Sequence, residues 1–139
     1  VEAAAQAQAA NPVAETPASE IVFVVEDEKA LRELAMRILK SAGYTVLTFG
    51  TAEEALPALT GHEGPVHLLL TDLILPGMTG RELAIRLKEV RPEIKVLYTS
   101  GYTDDAILRH GVLENASHFL GKPYSVAELK GKVREVLDL

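Results

Sequence analysis

The chain has 139 residues, 47% of them hydrophobic and 24% charged, with a formal net charge of −6 and no cysteine. That length is one domain's worth and sufficient for a hydrophobic core. The acidic balance disfavours DNA or an anionic membrane as the main partner, and the lack of cysteine excludes disulfides, thiolate metal sites and thiol nucleophiles.

The opening stretch, VEAAAQAQAANPVAETPASE, has no basic region followed by an apolar one, so it does not read as a signal peptide. No apolar run approaches the roughly 20 residues of a membrane span. Unperiodic Ala, Gln, Pro, Glu and Thr predict a flexible linker over residues 1–19 and a folded domain over 20–139. With no initiator Met, the expectation is a longer parent chain extending on the N-terminal side.

From Ser19 onward strands and helices alternate. IVFVV (Ile21–Val25) is a β-branched run of the buried-strand type. A helix follows with Leu31, Leu34, Ala35, Ile38 and Leu39 on one face, closed by Gly43. YTVLTF (Tyr44–Phe49) is the second strand. The next helix opens with Thr51 as N-cap and Glu53 and Glu54 in its first turn, and Pro57 inside it should bend it or keep it short. VHLLLTD (Val66–Asp72) is the third strand, followed by a helix carrying Leu83, Ala84, Leu87 and Val90 inward. IKVLYTS is the fourth strand, a short helix spans about Thr103–His110, and SHFLG is the fifth strand. The last helix has Ser125 as N-cap, Glu128 completing a capping box, and Val126, Leu129, Val133 and Val136 facing inward.

Five strands alternating with five helices imply right-handed crossovers and an α/β fold, a parallel sheet covered on both faces. Such sheets place their sites at the carboxyl ends of the strands. The polar residues that interrupt the apolar runs all fall there: Glu26, Asp27 and Glu28 after the first strand, Asp72 after the third, Thr99 and Ser100 after the fourth, Lys122 after the fifth. A buried Asp72 is costly unless paired. Three carboxylates packed together raise one another's pKa, and Mg²⁺ relieves that with one or two carboxylates, waters and a phosphate oxygen. An anion beside Asp72 would meet that cation, the Lys122 ammonium and the Thr99 hydroxyl, which is what phosphoryl transfer needs. Asp72 itself can form an acyl phosphate.

VVEDE, DLILPGMTG, LYTSGY and FLGKP, in that order, resemble the motifs of the receiver domain of two-component response regulators, the chemotaxis-type fold, from Ile21 to the C-terminus. The resemblance implies a flavodoxin-like, doubly wound, three-layered sheet in the order 2-1-3-4-5. It implies that Asp72 accepts a phosphoryl group from a phosphohistidine on a histidine kinase or histidine phosphotransfer domain. Asp27 would bind Mg²⁺ (or Mn²⁺) directly, Glu26 directly or through water, and the Ile74 backbone carbonyl would be a further ligand. Thr99 and Lys122 would hold the phosphoryl oxygens, Phe119 would be the switch aromatic that turns inward with Thr99, and the Lys122–Pro123 peptide would be cis. The readout would be the surface of the fourth helix, fifth strand and fifth helix, facing a downstream protein. The family usually has two aspartates where this chain has Glu26 and Asp27. Ile74 and Gly101 stand where some relatives have polar side chains that position the hydrolytic water, so dephosphorylation is expected to be slow. VVEDE with VLYTSGYTDDAILRHGVL also resembles receivers fused to the C-terminus of hybrid histidine kinases. That context implies a cytoplasmic domain without direct membrane or nucleic-acid contact, in a kinase that a membrane could anchor.

Taken singly, several of these residues have plainer readings. Glu28 reads as a first-turn helix acid, and His62, His67, His110 and His118 lack ligand spacing. A haloacid-dehalogenase-type hydrolase needs a second Asp two positions after the nucleophile, where Ile74 stands, and no P-loop motif occurs. A stand-alone receiver acting as a phosphorylation-dependent binding module has the same chemistry as a fused one. A pseudo-receiver would not need the chemical residues that this chain retains.

Overall fold

The computed structural model describes residues 19–101 and 118–139. The expected short helix at 103–110, residues 1–18 of the expected linker and His110 lie outside the described residues. The elements run β1 (Ile21–Val25), α1 (Lys29–Ser41), β2 (Thr45–Phe49), α2 (Ala52–Gly61), β3 (Leu68–Asp72), α3 (Gly80–Val90), β4 (Lys95–Ser100), β5 (His118–Gly121) and α4 (Val126–Leu137).

The strands form one parallel sheet in the order β2-β1-β3-β4-β5. Winding therefore reverses between β1 and β3, and the crevice at that reversal is where a doubly wound sheet binds ligands. Because side chains alternate along a strand, each strand feeds two cores. Phe23, Val25, Leu69, Val96 and Tyr98 pack with Ala55 and Leu59 of α2 and Leu83 and Leu87 of α3. Val22, Val24, Leu68, Leu70 and Leu97 pack with Ala35, Ile38 and Leu39 of α1 and Leu129, Val133 and Val136 of α4. Burial on both faces explains why the strand sequences are almost continuously apolar.

Two apolar residues expected to face inward do not. Val90 is 52% exposed and Val126 is 50% exposed. Each is the terminal residue of its helix, beyond the reach of the sheet. The core position past the end of α3 is taken by Ile94, which is buried. The Thr51 cap is present, its Oγ1 accepting the Glu54 amide at 3.1 Å. Both features of the α4 capping box at Ser125 and Glu128 are also present. α3 also opens on a capping box, Thr79 with Glu82.

Pro57 does not stop α2, which continues to Gly61. A carbonyl of its last turn, which no helical amide reaches, and two in the turn beyond it are met by a side chain from elsewhere. Arg91, just past α3, donates from Nε to the Leu59 carbonyl at 2.8 Å, from Nη1 to that of Gly64 at 2.9 Å, and from Nη2 to that of His62.

Candidate active site

The pleat of the sheet aims the polar residues. Val24, Leu70, Leu97 and Leu120 all belong to the core shared with α1 and α4. Two residues on from each, the same face carries Glu26, Asp72, Thr99 and Lys122. β1, β3, β4 and β5 are neighbours, and Asp72 pairs in register with Thr99. The sequence pattern thus sets four polar groups in a row across the carboxyl rim, where the hydrophobic layer gives out.

They meet there. Lys122 Nζ donates to Asp72 Oδ2 at 2.9 Å and to Glu26 Oε1 at 3.0 Å. Glu26, Asp72 and Thr99 are buried, and the Lys122 side chain is only 13% exposed. Carboxylate oxygens of Glu26, Asp27 and Asp72 lie within 4.8 Å of one another, with Asp27 on the solvent side. The Lys122–Pro123 peptide is cis, as the resemblance implies.

Burial pushes the Asp72 carboxyl above its ordinary pKa. The Asp27 charge adds to the rise, while Lys122 and a backbone hydrogen bond from Ile74 oppose it. Burial also raises Glu26, against the opposing bonds from the Glu28 amide and Lys122. Burial alone would lower Lys122, but its bonds to Asp72 and Glu26 outweigh that and leave it raised. The ammonium stays charged while two carboxylates compete for it, so the cluster has negative charge to spare. A hard cation with oxygen ligands fits that donor set.

Other residues shape the site without having been singled out. Arg32 in α1 donates from Nη1 to the Glu26 carbonyl at 2.8 Å, fixing the acidic turn from outside. Gly80 opens α3 so close to β3 that an added Cβ would stand 2.1 Å from the Asp72 carbonyl oxygen. Glu28 is the N-cap of α1 rather than a first-turn acid, and its amide donates to Glu26 Oε2 at 3.0 Å. Phe119 is half-buried against the α2–α3 core, on the opposite sheet face from Thr99. Ile74 is 47% exposed. His62 and His67 have structural places: His62 packs edge-on against Phe23, and His67 Nδ1 accepts the Ile21 amide at 2.9 Å. A cleft lined by Leu31, Leu34, Pro123 and Tyr124 opens beside Lys122.

Residues 22–134 match the response regulator receiver domain family. The chain belongs to that family. This receiver domain is 37% identical over 120 residues to the sensor kinase CckA of Brucella abortus, covering 86% of this chain and 13% of that protein. It is 30% identical over 116 residues to the response regulator receiver protein CpdR of the same organism, covering 84% and 95% respectively. Among solved structures, the receiver domain of the hybrid histidine kinase CckA superposes with a TM-score of 0.72 at 32% identity, covering 84% of this chain and 98% of that one. A CheY-like receiver from Methanospirillum hungatei gives 0.73 at 28% identity, covering 87% and 95%. The chain is therefore a receiver of two-component phosphorelay signalling, a class that works with histidine kinases or phosphotransfer proteins. No helix among the described residues is long and apolar enough to cross a membrane.

Proposed function

We propose that Asp72 accepts a phosphoryl group from a phosphohistidine and that the domain changes conformation in response. The observation that carries this reading is the buried Asp72 carboxylate held 2.9 Å from the Lys122 ammonium, in the same row as Glu26 and Thr99. An Asp72 carboxylate oxygen attacks phosphorus, the P–N bond breaks, and its electron pair leaves with the imidazole, which takes up a proton. Burial keeps competing water away, and Lys122 is placed to follow the charge from carboxylate to phosphoryl oxygen. The Thr99 hydroxyl donates to a second phosphoryl oxygen.

Glu26, Asp27 and Asp72, with the Ile74 carbonyl, would hold Mg²⁺, or Mn²⁺ in its place. When bound, the cation neutralises the negative charge gathered on the phosphoryl oxygens. The closeness of the three carboxylates and the raised pKa of Asp72 and Glu26 support that assignment.

Phosphorylation then biases a two-state equilibrium through contacts of Thr99 and Lys122 that only the active arrangement makes. Phe119 follows Thr99 inward, and the surface around β5 and α4 serves as the readout. The apolar cleft beside Lys122 suits a helical donor presenting its phosphohistidine. Similarity to the CckA receiver supports a place in a cytoplasmic region of a hybrid sensor kinase, with protein partners on both sides of the relay. The net charge of −6 speaks against nucleic acid as a partner of this domain.

Intact mass after incubation with Mg²⁺ and acetyl phosphate tests the chemistry. One added phosphoryl group is expected, abolished by Asp72→Asn or by chelator. A labelled Asp72→Asn would sink the assignment. The CckA similarity supports the hybrid-kinase reading over a stand-alone receiver, and the coding sequence upstream of residue 1 decides between the two.

A further inference from the structure

The loop between β3 and α3, which contains the PGMTG stretch, carries Ile74 past the acidic cluster. Its inner end is tied by main-chain bonds: the Leu73 amide donates to the Thr99 carbonyl at 2.8 Å, and the Gly80 amide to the Leu73 carbonyl at 2.9 Å. Its outer end is held by a different element. Glu53, in the first turn of α2, accepts the Met78 amide through Oε2 at 3.1 Å. Gly77 has φ of 78°, and a Cβ added there would stand 2.6 Å from the same oxygen. The Glu53 carboxylate fills the place that Gly77 leaves open, and the positive φ is what calls for glycine at 77.

The helix N-terminus alone does not account for Glu53. Thr51 already caps α2, and the next acid, Glu54, turns back to the nearby Gly50 amide at 3.4 Å. Two adjacent carboxylates with the same dipole to complement therefore do different things. Glu54 bonds within its own turn, and Glu53 bonds 25 residues along the chain.

We infer that Glu53 is a positioning residue for the acidic site. It fixes the outer half of the β3–α3 loop so that the Ile74 carbonyl and Asp72 stand ready for the cation, and binding does not have to order the loop first. The inference rests on the cation-binding role proposed above for Asp72 and Ile74.

Two measurements on the unphosphorylated protein test it: hydrogen exchange at the Met78 amide, and the Mg²⁺ dissociation constant by calorimetric titration. Glu53→Ala should speed Met78 exchange and weaken Mg²⁺ binding by about fivefold, the size of one net hydrogen bond. Glu53→Gln keeps an accepting oxygen and should stay within about twofold of wild type. Glu54→Ala removes the same charge one residue away and should also stay within about twofold. Unchanged Mg²⁺ affinity in Glu53→Ala would overturn the inference, as would an equal loss in Glu54→Ala, which would make the effect one of net charge. A Gln variant as weak as the Ala variant would overturn it too. Wild-type protein that bound no Mg²⁺ would instead overturn the reading of the site on which the inference stands.

Discussion

Lys122 holds its ammonium 2.9 Å from the Asp72 carboxylate across 50 residues of sequence. The same ammonium is 3.0 Å from Glu26, so one cation balances two buried acids. Removing it strands both. Lys122→Met should destabilise the chelator-treated protein by about 3 kcal/mol, as expected when a buried pair loses one partner. Urea unfolding at pH 7 measures the loss, and Mg²⁺ should restore part of it. A cost under about 1 kcal/mol would mean that the carboxyls relieve themselves by sharing a proton.

Asp72→Asn should move stability the other way. Burial raises the folded-state pKa of Asp72 above its unfolded value. The folded protein therefore binds protons more readily than the unfolded chain. The penalty for the charge is absent below the ordinary carboxylate range, grows as pH rises toward the raised pKa, and is complete above it. In chelator the Asn variant should melt above wild type at pH 8, with the difference vanishing in acid. A difference that persists unchanged at low pH would contradict this account.

Glu20 behaves in the opposite sense. Its bond to Arg134, at 2.7 Å, lowers its folded-state pKa against the effect of burial. The stability it supplies is present above the unfolded Glu value and is lost as pH falls through the depressed one. Arg134 is 41% exposed, so screening keeps the contribution small. Arg134→Gln should cost under about 1 kcal/mol at pH 7, and the Glu20 share of that cost should vanish once Glu20 is protonated in both states, leaving only what the Asp138 and Tyr44 bonds supply. Denaturation midpoints of the two proteins across that range provide the check.

The phosphorylated domain should lose its phosphoryl group slowly, over minutes or longer. Ile74 presents an exposed apolar side chain beside the site, and Gly101 presents none. Neither can orient a water for attack on phosphorus. Ile74→Asn, a change that leaves the core untouched, should shorten the half-life in purified protein. A wild-type half-life of seconds would show that another group positions the water.

Much of this was legible from residue types alone. The five-strand pattern follows from apolar runs ending in polar residues, and those endings located Glu26, Asp72, Thr99 and Lys122, because strand periodicity ties direction to position. The inward faces of the helices were legible except at their ends. Val90 and Val126 follow the period correctly, but periodicity carries no information about where the sheet stops. Arg32, Glu53 and Arg91 were invisible for a related reason. Each bonds a main-chain group rather than a complementary side chain, and main-chain groups are the same everywhere in a sequence. The one available signal was Gly77, a glycine in a loop already suspected of function.

Arg91 has a further consequence. Its guanidinium is bonded to the carbonyls of Leu59, His62 and Gly64, with no acid among them. A carbonyl has no proton to gain at ordinary pH and no net charge for salt to screen. The seam it closes between the ends of α2 and α3 should therefore hold at ionic strengths and acidities that loosen the pairing of Arg134 with Glu20. A domain whose charge is rewritten each time a phosphoryl group arrives has one fastening that is indifferent to the change.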